Sequence, residues 1–180
     1  MPHDACILTT KDFTILEVML DRSSDPAEAM TLLLRRKLDA ATVVFREDVP
    51  PQVATLSSRV SFAVDGGEAD SRILSHDRMT SPVGLYLPIT TLRGLALLGL
   101  AEGQAIRVAN RDGVAERIRL DQVLYQPESA RRAQEAVELR ATPQARRTML
   151  RVIPGTLAQQ PALARAHAID DGDDPGPSAA

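Results

Sequence analysis

Asp21, Asp25 and Glu28 fall close together in a polar stretch that interrupts an otherwise regular apolar spacing. Carboxylates are the ligands that hard divalent cations take, and Mg²⁺ typically uses one or two of them alongside waters. Asp25-Pro26-Ala27-Glu28 places two of these acids three residues apart. The same four residues are also how a helix begins. A capping acid comes first, a proline follows where its missing N–H costs nothing, and a second acid sits near the positive end of the dipole. The capping explanation is the simpler of the two.

Other chemistry-bearing residues give less. His3, His76 and His167 are far apart in sequence, and no Cys or His spacing suits zinc. Ser57-Ser58 has no general base near it in sequence. Gly66-Gly67 and Gly99-x-x-x-Gly103 lack the Lys-Ser/Thr of a phosphate loop and read as turns and a helix end. No cofactor and no metal site is expected. Arg131, Arg132, Arg140, Arg146, Arg147 and Arg151 could meet nucleic acid or a protein partner, but a solvated helix face and a flexible extension are the simpler account.

The elements that position these residues follow from periodicity. Thr9 caps a helix over residues 9–22, with Asp12 in its first turn and Phe13, Leu16 and Leu20 on one stripe. A second helix starts at Ser24 or Asp25, with Met30, Leu34, Leu38 and Ala41 as its stripe. Two short amphipathic helices joined by a few polar residues bury their stripes by pairing antiparallel, so residues 9–42 read as a helical hairpin with the three acids at its tip.

Pro50-Pro51 marks a boundary, after which the spacing alternates. Residues 53–64 read as a strand with a slip near Ser58, and Asp65-Gly66-Gly67 as a turn. Residues 71–75 and 83–89 read as further strands, 92–100 as a short helix ended by Gly99 or Gly103, and 105–109 with 115–125 as a hairpin. Several antiparallel strands with one helix give an α+β domain. Pro127 closes it, a helix over 128–141 follows, and the acidic, Pro- and Gly-rich end cannot bury enough apolar area to fold alone. The expected organisation is a helical hairpin over 8–48, a sheet domain over 49–128 and a tail over 129–180.

Composition limits the partners. The formal net charge is −3, which gives no general help in displacing counterions from duplex phosphates. DNA binding is therefore expected only indirectly, through a protein. Two Tyr, three Phe and no Trp leave few rings for ligand pockets or base stacking. One cysteine, Cys6, excludes an internal disulfide and fits a reducing compartment. With no signal-like start and no apolar run long enough to span a bilayer, a cytoplasmic protein without membrane contact is expected.

Four segments in register carry a family resemblance over residues 8–128. Val53-Ala54-Thr55-Leu56-Ser57-Ser58-Arg59-Val60 resembles the first sheet strand of the Rnk and Gre carboxy-terminal domain. Gly94-Leu95-Ala96-Leu97-Leu98-Gly99, followed by Gly103, resembles its Gly-x-Ala-Leu-Leu-Gly helix segment. Tyr125-Gln126-Pro127-Glu128 is similar to the end of Rnk-like domains, and Leu38-Asp39-Ala40-Ala41 stands where these carry Leu-Asp-Arg-Ala. Leu92, Gln104, Lys37 and Ala40 depart from the family pattern.

The resemblance implies an amino-terminal antiparallel coiled coil and a carboxy-terminal domain of FKBP-like topology. It implies docking of that domain at the rim of the RNA polymerase secondary channel, with Gly94, Gly99 and Gly103 in the candidate docking segment, and insertion of the coil. Gre factors use acids at the coil tip to help hold a catalytic Mg²⁺ in the polymerase. A helix of roughly a dozen residues reaches only about 18 Å, several turns short of a Gre coil. The expectation is thus a polymerase-binding regulator that competes with Gre factors without stimulating cleavage, and not an enzyme. The alternatives are a Gre-type cleavage-stimulating factor and a peptidyl-prolyl isomerase, which would need an aromatic pocket that Phe62, Tyr86 and Tyr125 can hardly build.

Overall fold

In the computed structural model, residues 6–76, 84–109 and 113–140 are described. The chain divides into two units, Met1–Ala141 and Thr142–Ala180, and the described residues all belong to the first. His3, His167, the turn residues 110–112 and the arginines beyond 140 lie outside the described residues.

The described residues open with a strand that periodicity did not mark, β1 (Cys6–Thr9). Helix α1 (Thr10–Asp21) follows, and the expected cap is in place, with Thr9 Oγ1 accepting from the Asp12 amide at 3.1 Å. Helix α2 (Ala29–Ala40) begins later than the sequence suggested. Neither Ser24 nor Asp25 caps it. Asp25 Oδ1 instead accepts from the Ala27 amide at 2.9 Å, an Asx turn that competes with helix initiation and pushes the first helical turn to Ala29.

Strand β2 (Ala41–Val44) takes up the chain directly at the end of α2, so Ala41 belongs to a strand rather than to the apolar stripe. It pairs in parallel with β1, Cys6 opposite Ala41 through Thr9 opposite Val44. Parallel pairing needs a long crossover, and the two helices, which pack on each other, supply it.

The second half is a mixed sheet of β3 (Arg59–Val64), β4 (Asp70–Ser75), β5 (Tyr86–Pro88), β6 (Ala105–Ala109) and β7 (Ala115–Tyr125), with helix α3 (Leu92–Leu97) between β5 and β6. The strand order is β5-β4-β3-β7-β6. The expected hairpin of β6 and β7 is present, as is the pairing of β3 with β4. The sheet is not wholly antiparallel, because β5 runs parallel to β4.

Residues 53–58 are not strand either. Ser57 takes a positive φ of 67°, and Ser58 Oγ accepts from the Thr55 amide at 3.1 Å, so the apparent slip in the alternation is a hydrogen-bonded turn. Helix α4 (Pro127–Arg140) closes the described chain, with Pro127 in the first turn and no buried residue.

One apolar core joins the two halves. Leu8 and Leu16, Leu34 of α2, Leu95 and Leu97 of α3, and Ile118 and Leu120 of β7 are all essentially inaccessible. Each such side chain contributes on the order of 1.5–3 kcal/mol relative to exposure. Among the described residues no helix is long and apolar enough to cross a membrane.

Candidate functional site

The connection between α1 and α2 holds the three candidate acids. Asp21 is the last residue of α1, Asp25 lies in the connection, and Glu28 stands at the N-cap of α2; all three are exposed. Glu28 caps through its backbone, its carbonyl receiving the Leu32 amide at 3.0 Å, and its side chain makes no cap bond. A bond between the Ser23 and Thr31 hydroxyls ties the connection to the first turn of α2. The result is a negatively charged, exposed tip. Among the described residues no three His, Cys, Asp or Glu side chains are placed to hold a metal ion. A cation at this tip would need ligands from another molecule.

A groove of about 470 Å³ lies beside the tip, between the start of α2 and β6, lined among others by Glu28, Leu32, Arg36 and Arg107. Arg36 Nη1 donates to the Arg107 carbonyl at 3.2 Å, joining the second helix to the sheet edge.

The base of the hairpin is built from buried polar groups. Lys37 is 3% exposed, and its Nζ donates to the Leu98 carbonyl at 2.6 Å, with Cys6 Sγ at 3.9 Å. Burial lowers the Lys37 pKa, and burial raises that of the Cys6 thiol, so the surroundings favour the neutral form of each. Asp12 is equally buried. Its carboxyl is pushed up to about 6, first by burial and to a lesser degree by Glu128, against the pull of the Thr9 hydroxyl, the Leu56 amide and Lys11. Its Oδ2 has no hydrogen-bond partner.

The Tyr-Gln-Pro-Glu segment is a clamp. Gln126 Nε2 donates to the carbonyls of Pro50 at 2.9 Å and Val53 at 2.7 Å, holding the chain just after the hairpin. Glu128 accepts from the Thr55 hydroxyl at 2.7 Å while sitting in the first turn of α4, where its charge suits the dipole.

Two of the three glycines of the candidate docking segment, Gly94 and Gly99, are packing devices. A Cβ on Gly94 would stand 2.1 Å from the Pro88 carbonyl oxygen. Gly99, at φ +80°, would meet Cys6 Sγ at 2.6 Å and Leu8 Cδ2 at 2.8 Å. Gly103 is also at positive φ but faces open space. Residues 94–100 are all buried, so this stretch holds α3 against β1 and β5 and offers little surface of its own. The aromatic residues do not converge on a pocket. Phe62 faces the core, while Tyr86 and Tyr125 lie on the opposite side of the sheet.

Neither the lock of Lys37, Cys6 and Leu98 nor the meeting of Asp12 with Glu128 followed from the sequence. One signal was there. Met30, Leu33, Leu34 and Lys37 share the spacing of a buried helix face, which places a lysine inside.

No protein-family model matches the chain. The regulator of nucleoside diphosphate kinase of Escherichia coli strain K12 is 28% identical over 131 residues, covering 72% of this chain and 96% of that protein. The protein of the same name from Shigella flexneri matches to the same extent. Among solved structures, the prokaryotic transcription elongation factor GreA/GreB from Nitrosomonas europaea is 31% identical with a TM-score of 0.51, over 67% of this chain and 98% of that one.

The chain belongs to the GreA/GreB-like family of transcription factors.

Within this GreA/GreB-like chain, three of the segments that carry the resemblance do structural work. The Gly-x-Ala-Leu-Leu-Gly stretch seats α3, Tyr-Gln-Pro-Glu anchors α4 and the segment before β3, and the end of α2 feeds β2. The tip acids lie outside all of these packing roles.

Proposed function

We propose that the chain is a transcription regulator that binds RNA polymerase at the secondary channel, places the helical hairpin there as a short coiled coil, and competes with Gre factors without stimulating transcript cleavage. The sheet domain, residues 49–128, is the docking part, and the hairpin, residues 8–48, is the inserted part. The site of action is the cytoplasm, beside the polymerase. The family membership supports the partner.

The observation that carries the non-cleaving part is arm length. Each helix has only 12 residues, or about 18 Å at about 1.5 Å per residue. A carboxylate does not stabilise a metal that it does not reach. The local duties of two tip acids agree with this, since Asp25 is engaged by the Ala27 amide and Glu28 opens α2.

A competition assay with core polymerase, this protein and labelled GreA tests the reading. Displacement of GreA is expected, and its absence removes the proposal. Cleavage on backtracked complexes separates the two halves of the claim. Robust cleavage that depends on Asp25 or Glu28 would overturn the non-cleaving role while leaving polymerase binding intact.

A further inference from the structure

The face of the sheet turned away from the core carries two guanidiniums, those of Arg107 and Arg117, that pair with no acid among the described residues. Arg107 and Arg117 stand directly opposite each other on β6 and β7. Like charges in that relation repel. Arg119 follows Arg117 two residues on, about 7 Å along the strand and on the same face. All three are exposed.

Acids near them are few and already engaged. Asp121 pairs with Arg119 at 2.6 Å, and the Asp65 carboxylate accepts from the Arg117 amide at 2.7 Å. No described acidic side chain pairs with the guanidinium of Arg107 or Arg117.

The other end of the same face is aromatic. The register lines up Tyr86, Ile73, Arg59 and Tyr125 across β5, β4, β3 and β7. Tyr125 is 52% exposed, directly opposite exposed Arg59. Three strand spacings of about 4.8 Å put the two tyrosines about 14 Å apart. The chain has five aromatic residues in all, so two on one solvent-facing sheet surface is a concentration. Between the rings and the Arg107–Arg117 pair lie two small, partly exposed residues, Ser61 and Ala105, which let a ligand come close to the backbone.

We propose that this face binds single-stranded RNA, with Arg107, Arg117 and Arg119 on the phosphates and Tyr125 with Arg59 as the platform on which a base stacks. Charge complementarity selects a polyanion, and the exposed ring beside a guanidinium selects one with unpaired bases over an acidic protein surface. The Ser61 hydroxyl on the same face suits a ribose 2′-hydroxyl, which sets RNA above single-stranded DNA. The inference is independent of the polymerase reading, and its test contains no polymerase.

The test is fluorescence anisotropy of the full chain with a labelled 12-mer of oligouridine, titrated across salt concentrations. Three to four phosphate contacts give a log–log salt slope of about −2 to −3. Arg107→Thr with Arg117→Thr keeps strand propensity and should make the slope shallower by about 1.4, at roughly 0.7 per lost contact, with about tenfold or greater weakening. Tyr125→Thr should weaken oligouridine binding while leaving its salt slope in place. Circular dichroism and thermal melting establish that each variant is folded. Oligothymidine and polyglutamate of matched length are the competitors, and both should compete more weakly than unlabelled oligouridine. Equal competition by oligothymidine overturns the assignment to RNA, and equal competition by polyglutamate shows an acidic-protein surface instead. Absence of salt-sensitive binding, or binding unchanged in both variants, removes the site.

Discussion

Lys37 of the second helix donates to the main-chain carbonyl of Leu98, at the end of the sheet domain's helix, over 2.6 Å. This bond joins the base of the hairpin to the sheet half in a place that water does not reach. Lys37→Ala should cost about 2–4 kcal/mol, because it opens a cavity and leaves the buried Leu98 carbonyl with only the weak Cys6 thiol donor at 4.0 Å. Lys37→Met retains the stem and should cost about 1–2 kcal/mol. Since burial lowers the Lys37 pKa, the unfolded chain binds the extra proton in the window below 10.5 and above the folded value. That lysine's contribution to stability therefore rises with pH through this window, and the Met variant should lose the dependence. Denaturant unfolding at several pH values measures both effects.

Asp12 predicts the opposite slope. Its folded pKa of about 6 stands above the ordinary 3.8, so the folded chain holds the proton more tightly. The stabilisation is fully present below about pH 3.8 and is lost as pH rises through about 6, a swing of about 2–3 kcal/mol. Asp12→Asn should remove most of it, leaving the variant more stable than the parent at pH 7 and little changed at pH 4. Thermal melts at these two values decide it, and an unchanged difference between them would refute the assignment.

The three glycines of the α3 segment should grade by their surroundings. Gly94→Ala and Gly99→Ala force a methyl group against a main-chain oxygen or the β1 side chains, and each should cost about 3 kcal/mol or more. Gly103→Ala meets open space and should cost only the left-handed backbone term, about 1–2 kcal/mol. Chemical denaturation of the three variants gives the order directly. Equal losses would mean that packing is not what the motif provides.

Gln126 holds two buried carbonyls with one amide nitrogen. Gln126→Leu keeps the volume but takes the donor from the buried Val53 carbonyl, while the Pro50 carbonyl keeps the Val53 amide at 3.1 Å, for a loss of about 1–3 kcal/mol. Hydrogen exchange should then quicken at the Ala54 amide, which bonds to Leu100 beside the released segment. Protection unchanged at that amide would place the clamp elsewhere.

Much of this architecture was legible in the residues, because it rests on local rules. Thr9 with Asp12 announced the first helix, the β6–β7 hairpin followed from alternation around a turn, and Pro127 marked the start of α4. What escaped depends on contacts between distant segments. Four residues cannot show by periodicity that Cys6–Thr9 pairs in parallel with Ala41–Val44, since each run is equally compatible with the helix beside it. The Asx turn at Asp25 looked like a cap because both use the same residue types. At the candidate site, the polar connection that carries the tip acids could be read, whereas the turn at Asp25 and the burial of Lys37 and Asp12 depended on how the fold would close around them.

The parallel ladder of β1 and β2 also makes the hairpin a cassette. Both ends of the α1–α2 excursion are fixed side by side, from Cys6 opposite Ala41 to Thr9 opposite Val44, before either helix extends. Whole helical turns inserted in matched number on both arms would then change reach and leave the frame beneath undisturbed. Length becomes a variable that can be dialled apart from stability, and grafted arms of graded span would turn this chain into a ruler for whatever cavity receives them.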